Sequence, residues 1–196
     1  MKLHKEEILY KIIVPIGRPI YRFLYRPKII GNEYIPKDGG VVLAGNHTKW
    51  MDCVMVMASC KRSVHFLAKS EIFKNPICNF IFTNSGLIPV HRERKDPDAL
   101  RTAKEYLKIG AVIGIFPEGK VNKENRNAVL PLKMGAIKMA HDTNCPIVPF
   151  TINGKGKYSP FNKDLEIIFQ EPYYVKSDDL EAERDILYQK ISKNLK

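Results

Sequence analysis

From Val41 onward, short apolar runs rich in β-branched residues alternate with longer segments whose apolar residues recur every three or four positions. The runs predict strands at 41–45, 64–68, 87–90, 111–116 and 147–152, with a later one at 165–169. The longer segments predict helices near 51–60, 70–84, 97–108 and 132–142. A final amphipathic helix follows, capped by Asp178 or Asp179 and ending near Leu195. Asp96 before Pro97 marks a helix start, because an aspartate cap precedes a proline whose missing N–H costs nothing in the first turn. Strands alternating with helices in this way predict an α/β fold: a mixed, largely parallel sheet flanked by helices.

Ahead of these units, residues 8–26 form an N-terminal amphipathic helical segment. On a helical wheel Lys11, Arg18, Arg22 and Arg26 gather on one side, and Leu9, Ile12, Ile13, Ile16, Ile20, Phe23 and Leu24 on the other. Pro15 and Pro19 predict two short helices joined by a bend. Such a segment suits the headgroup boundary of an anionic bilayer, and the same stripe also suits docking on a domain core. The expected division is a basic membrane-surface segment over 1–30 and a folded domain over 31–196.

Composition narrows the classes. At 196 residues with 44% apolar or aromatic positions, the chain supports one core without disulfide or metal staples, and disorder is excluded. Cys53, Cys60, Cys78 and Cys145 match no redox pair or zinc clip, so they read as reduced, packed thiols. The N-terminal apolar stretch is broken by Lys11, Pro15, Arg18 and Pro19, so neither a secretory signal nor a spanning helix is expected. A net charge of +11 favours an anionic partner. Nucleic acid is not the expected one, because no cluster of Lys/Arg interleaved with aromatics stands out.

Four segments carry candidate chemistry. Gly45-Asn46-His47-Thr48-Lys49-Trp50-Met51-Asp52 follows a strand and opens a helix, the junction where open α/β sheets place their sites. His47 and Asp52, one helical turn apart, read as a general base and the carboxylate that orients it, with no G-x-S-x-G nucleophile elbow in the chain. A base without a protein nucleophile fits deprotonation of a substrate hydroxyl; the plain alternative is a histidine hydrogen-bonded in a turn. Gly86-Leu87-Ile88-Pro89-Val90-His91-Arg92 ends a strand in two anion-binding groups, and the guanidinium fork of Arg92 matches phosphate. Phe116-Pro117-Glu118-Gly119-Lys120 is a strand followed by a turn, and Cys145-Pro146-Ile147-Val148-Pro149 an apolar strand with prolines at both ends.

Taken in order, these blocks resemble the glycerolipid acyltransferases: N-H-x4-D, G-x-I-x-V-x-R, F-P-E-G and P-I-V-P, spread from Gly45 to Pro149. Leu132-Lys133-Met134-Gly135-Ala136 resembles the family's connecting segment. Among its members the 1-acylglycerol-3-phosphate acyltransferases are the most similar. The resemblance implies transfer of an acyl chain from a thioester of acyl carrier protein or coenzyme A to a lysophospholipid hydroxyl, giving phosphatidate. It implies His47 as base, Asp52 as its orienter, and Asn46, Arg92, Glu118, Gly119 and Lys120 as substrate-binding residues. It implies no metal and no organic cofactor. The expected place of work is the cytoplasmic face of the cell membrane, as a peripheral or monotopic protein whose catalytic domain spans 31–196. After the glycine of the third block the family commonly has Thr-Arg, whereas this chain has Lys120-Val121, which leaves open a different lysolipid or glycerol-3-phosphate as acceptor. An inactive lipid-binding scaffold is the remaining alternative.

Overall fold

The computed structural model describes residues 8–91, 96–125, 127–154, 160–161 and 164–196. Among the described residues seven strands form one sheet in the order β1-β7-β6-β2-β5-β3-β4. They are β1 (Lys28–Ile30), β2 (Val41–Gly45), β3 (Val64–Lys69), β4 (Ile88–Val90), β5 (Val112–Ile115), β6 (Ile147–Asn153) and β7 (Glu166–Phe169). Every neighbouring pair runs parallel except β6 and β7. The helices are α1 (Ile8–Tyr25), α2 (Asp52–Ser59), α3 (Pro76–Asn84), α4 (Pro97–Lys108), α5 (Gly135–Thr143) and α6 (Leu180–Ser192). The mixed, mostly parallel α/β sheet expected from the alternating pattern is the observed architecture.

Strand alternation sorts the core into two layers. In β2, Val42 and Ala44 pack towards α4, α5 and α6, while Val41 and Leu43 pack with Met55 and Val56 of α2 and with Tyr21 of α1. All five residues of β2 are buried, as are all seven of β6. Pro149, which would mark an edge strand, sits inside this interior strand, and its carbonyl still accepts the Gln170 N–H at 2.9 Å. All four cysteines are free thiols, with Cys60 and Cys145 in the core.

Three differences from the sequence expectation have physical causes. The helix expected over 70–84 is broken into a 3-10 turn at Ser70–Phe73 and α3, because Asn75, extended before a proline, caps the N–H groups of Ile77 and Cys78. The N-terminal segment is one uninterrupted helix rather than two, with Pro15 and Pro19 both on its exposed side. That helix docks through its polar side. Arg18 Nη2 donates to Cys60 O at 2.6 Å, and Arg22 Nε to Ala58 O at 3.0 Å. Two guanidinium groups thereby satisfy carbonyls that the end of α2 leaves open. The Tyr10 hydroxyl accepts the Val64 N–H. The aliphatic stripe therefore does not face the core: Ile12, Ile16, Ile20 and Phe23 are exposed. The side chains of Leu9, Lys11 and Ile13 lie outside the description. Strand β1, on the N-terminal side of the expected 30/31 division, pairs with β7 and belongs to the sheet.

Gly45 closes β2 where β6 crosses beside it. A Cβ there would meet the Phe150 ring at 2.3 Å and the Phe150 carbonyl at 2.5 Å, whereas a Cβ on Gly17 of α1 would touch nothing within 4 Å. Gly45→Ala should therefore cost about 2 kcal/mol, a fall in Tm of about 4–8 °C. Gly17→Ala should leave Tm unchanged or raise it; thermal melts of both variants check the contrast.

Candidate active site

Two of the four blocks begin where a strand ends, and a third, Gly86 to Arg92, runs through β4 and past its end. Beyond the carboxyl end of β2 come Asn46 and His47, beyond β5 come Phe116 to Gly119, and beyond β4 comes His91. Asn46 is buried and extends the β2–β6 ladder with its side chain, since Oδ1 accepts the Ile152 N–H at 2.7 Å and Nδ2 donates to the Ile152 carbonyl at 2.9 Å. Both ends of the amide are thus turned to backbone. Expected among the substrate-binding residues, Asn46 here fixes the exit direction of the chain that bears His47.

His47 Nδ1 lies 3.0 Å from Asp52 Oδ2, and Asp52 is fully buried in the first turn of α2. The same carboxylate oxygen accepts the Thr48 N–H at 2.6 Å and the Lys49 N–H at 2.8 Å. Asp52 therefore folds the His-Thr-Lys turn onto itself and stands next to the imidazole as an acceptor. A carboxylate beside Nδ1 assigns the proton to that nitrogen and leaves Nε2 as the basic one. The His47 ring stacks flat on Phe116, centroid to centroid 4.0 Å and 9° apart, and Phe116 rests in turn on Phe66 and Phe150. His47 keeps 7% of its surface open. The Thr48 hydroxyl turns to Asp52 rather than to the ring. Cys53 turns its Sγ to the Trp50 carbonyl at 3.5 Å, and burial, and then the Asp52 charge, push its thiol up to about 11, against thiolate formation.

Glu118 reaches the site from the end of β5, the parallel neighbour of β2. Its Oε1 accepts the His47 backbone N–H at 2.7 Å and its Oε2 the Leu130 N–H at 3.0 Å, so both oxygens brace loops. Burial raises its carboxyl above the ordinary range in spite of these bonds. Gly119 closes the turn with its N–H on the Phe116 carbonyl and takes a φ of +73°, which favours glycine. Lys120 is exposed, and with Lys123, Asn122 and Leu130 it lines a cavity of about 430 Å³.

One bracing residue was invisible in the sequence. Asn122 is buried, its N–H donates to the His47 carbonyl at 2.7 Å, and its amide donates to Asn125 O and Ala128 O. The only signal for it was an asparagine in a polar loop, a residue type that ties its own backbone into turns. The expected phosphate ligand Arg92, with Arg94, Lys95 and Arg126, lies outside the described residues. Its neighbour His91 is exposed, sharing Nδ1 with the Ser70 hydroxyl at 2.9 Å.

Glu118 has a pH signature. A carboxyl whose folded pKa exceeds its unfolded value holds its proton more tightly when folded, so stability falls as pH rises through and above the ordinary carboxyl range. Glu118→Gln should remove that slope from the pH dependence of Tm. An unchanged slope would mean that the group ionises alike in both states.

The Acyltransferase family's sequence profile matches residues 26–153. A chloroplast 1-acyl-sn-glycerol-3-phosphate acyltransferase of Brassica napus is 33% identical over 171 residues, covering 82% of this chain and 48% of its own length. This chain thus spans about half of that plant relative. The Bacillus subtilis protein of the same name is 31% identical over 150 residues, 75% of this chain and 73% of its own. The crystal structure of the Thermotoga maritima 1-acyl-sn-glycerophosphate acyltransferase PlsC superposes with a TM-score of 0.76 at 26% identity, covering 97% of this chain and 79% of that one. With the Asn46–Asp52 and Phe116–Gly119 blocks brought together beyond the carboxyl ends of β2 and β5, the chain belongs to the Acyltransferase family.

Proposed function

We propose that the protein transfers an acyl chain from an acyl carrier protein or coenzyme A thioester to the free hydroxyl of 1-acylglycerol-3-phosphate, at the surface of an anionic membrane. The observation that carries this reading is His47 Nδ1 on the buried Asp52 carboxylate, with neither Thr48 nor Cys53 disposed as a nucleophile. Nε2 takes the hydroxyl proton as the acceptor oxygen bonds to the thioester carbonyl carbon. Collapse of the tetrahedral adduct breaks the C–S bond, and the imidazolium returns its proton to the departing thiolate. Asp52 stabilises the positive ring between those steps, and the face of Phe116 adds a cation–π contribution.

The acceptor named for the relatives carries a phosphate, and Lys120 and Lys123 supply two ammonium groups beside the loop bonded to His47. Arg92, which follows the edge strand β4, is the proposed guanidinium ligand of that phosphate. Lysine offers a point charge where the family's usual arginine offers a fork, so acceptor binding through Lys120 is less directional. Glu118 and Gly119 shape the acceptor side by holding the backbone of His47 and the turn beside it. The exposed stripe of α1 suits the boundary of a bilayer, and no helix among the described residues is long and apolar enough to cross one.

Purified protein incubated with lysophosphatidate and acyl thioesters, with products read by mass, should yield phosphatidate. His47→Ala should lower kcat/KM by about 10²–10⁴ or more without shifting Tm by more than a few degrees. Lys120→Ala should raise the acceptor's KM and leave that of the donor unchanged. Most of the activity surviving in His47→Ala would overturn the general-base reading.

A further inference from the structure

We infer that α3 is a second membrane-inserting element, entering an anionic bilayer beside α1 and carrying Trp50, at the edge of the His47–Asp52 site, to the lipid interface. The inference rests on the membrane-surface reading above and extends it to a part of the chain outside the N-terminal segment.

Helix α3 reads PICNFIFTN, with no charged residue and no buried one. Ile77, Phe80 and Ile81 share a face at i, i+3 and i+4, and Ile77 and Phe80 stand 70% and 63% exposed. A helix at a water-facing surface turns its polar side outward; this one turns isoleucine and phenylalanine outward. Its first N–H groups are already held by the Asn75 side chain, so its N-terminus can leave water with those donors satisfied. At nine residues it is about 13.5 Å long, too short to span a bilayer and suited to lie within one leaflet's boundary.

Placement joins α3 to α1 and Trp50. α3 lies against α1, whose own outward face includes Ile20 and Phe23. The bonds from Arg18 to Cys60 and Arg22 to Ala58 lay α1 along α2, and Tyr21 sits near enough to the start of α2 for the Asp52 charge to act on its phenol. Trp50 precedes that same start of α2 and is 75% exposed. An exposed tryptophan just ahead of the helix that packs against α1 is a side chain that favours the water–lipid boundary.

Charge selects the occupant. Residues 8–91, which hold α1, Trp50 and α3, contain eleven Lys/Arg against four Asp/Glu. Of those four, Asp52 is buried and Glu71 pairs with Lys69 at 3.4 Å. Arg26 stands over the exposed Phe23 ring at 5.8 Å, and Lys49 and Lys74 adjoin Trp50 and α3 in the chain; a second copy would set like charge against these, whereas anionic lipid headgroups complement them.

Trp50 is the only tryptophan in the chain, so its fluorescence reads its own position. With vesicles containing phosphatidylglycerol, its emission should shift to the blue and be quenched by brominated acyl chains. Ile77→Asp with Phe80→Asp should weaken vesicle binding at least about tenfold. The double variant should keep the wild-type melting temperature, and in detergent mixed micelles its turnover should stay within about twofold of wild type. The inference is overturned if vesicles are not bound, if bound vesicles leave Trp50 emission and quenching unchanged, or if the double variant binds like the wild type. It is overturned equally if the lipid-free protein is a dimer that Phe80→Asp dissociates, because the face then covers a second copy. Absence of turnover in micelles with the lipid results intact would instead strike the proposed reaction.

Discussion

The site depends on one buried carboxylate. Asp52 accepts from the Thr48 and Lys49 backbones and from the His47 ring, so a single side chain fixes the turn after β2, the start of α2 and the direction of the imidazole. A carboxylate this deep is tolerated only when its lone pairs are matched. Here the turn, the helix and the proposed base are the matching. Glu118, Asn46 and Asn122 continue the logic outward by holding the backbone of His47 and of the residue before it. The imidazole is thus held on a frame of backbone hydrogen bonds drawn from β2, β5, β6 and the 122–130 loop, and rigid placement of this kind is what a direct proton transfer requires.

That frame also explains how far the sequence could be read. The pairing of His47 with Asp52 was legible because both stand on one short junction, where spacing along the chain translates directly into distance. The α/β class was legible because β2, β5 and β6 are buried on both faces and carry predominantly apolar runs. Asn122 was not legible, since its partners Asn125, Ala128 and the His47 carbonyl are defined only once the loop has closed. β1 was missed for a similar reason: three residues acquire strand character only through their ladder with β7. Asn75-Pro76 was a stop and a start written in the sequence, and the helical pattern on either side concealed it.

α1 shows where a pattern names two faces and leaves their assignment to tertiary structure. The wheel separates cations from aliphatic residues, yet both directions of docking satisfy that wheel. What decides is the end of α2, whose carbonyls at Ala58 and Cys60 take the Arg22 and Arg18 guanidinium groups. With Arg18 and Arg22 bonded to those carbonyls, the helix leaves Ile12, Ile16, Ile20 and Phe23 outward. The same α2 then links the docked helix at one end to Asp52 at the other, so the orientation of α1 and the position of the dyad are set by one rigid element.

The central claim is that Asp52 holds His47 with the proton on Nδ1 and a free, basic Nε2. Nitrogen-15 NMR of the histidine side chains, with His47 assigned by its disappearance in His47→Ala among the five histidines of the chain, measures this directly. The account predicts that neutral His47 is the Nδ1–H tautomer, with Nε2 carrying no proton. A neutral His47 protonated on Nε2 would contradict it.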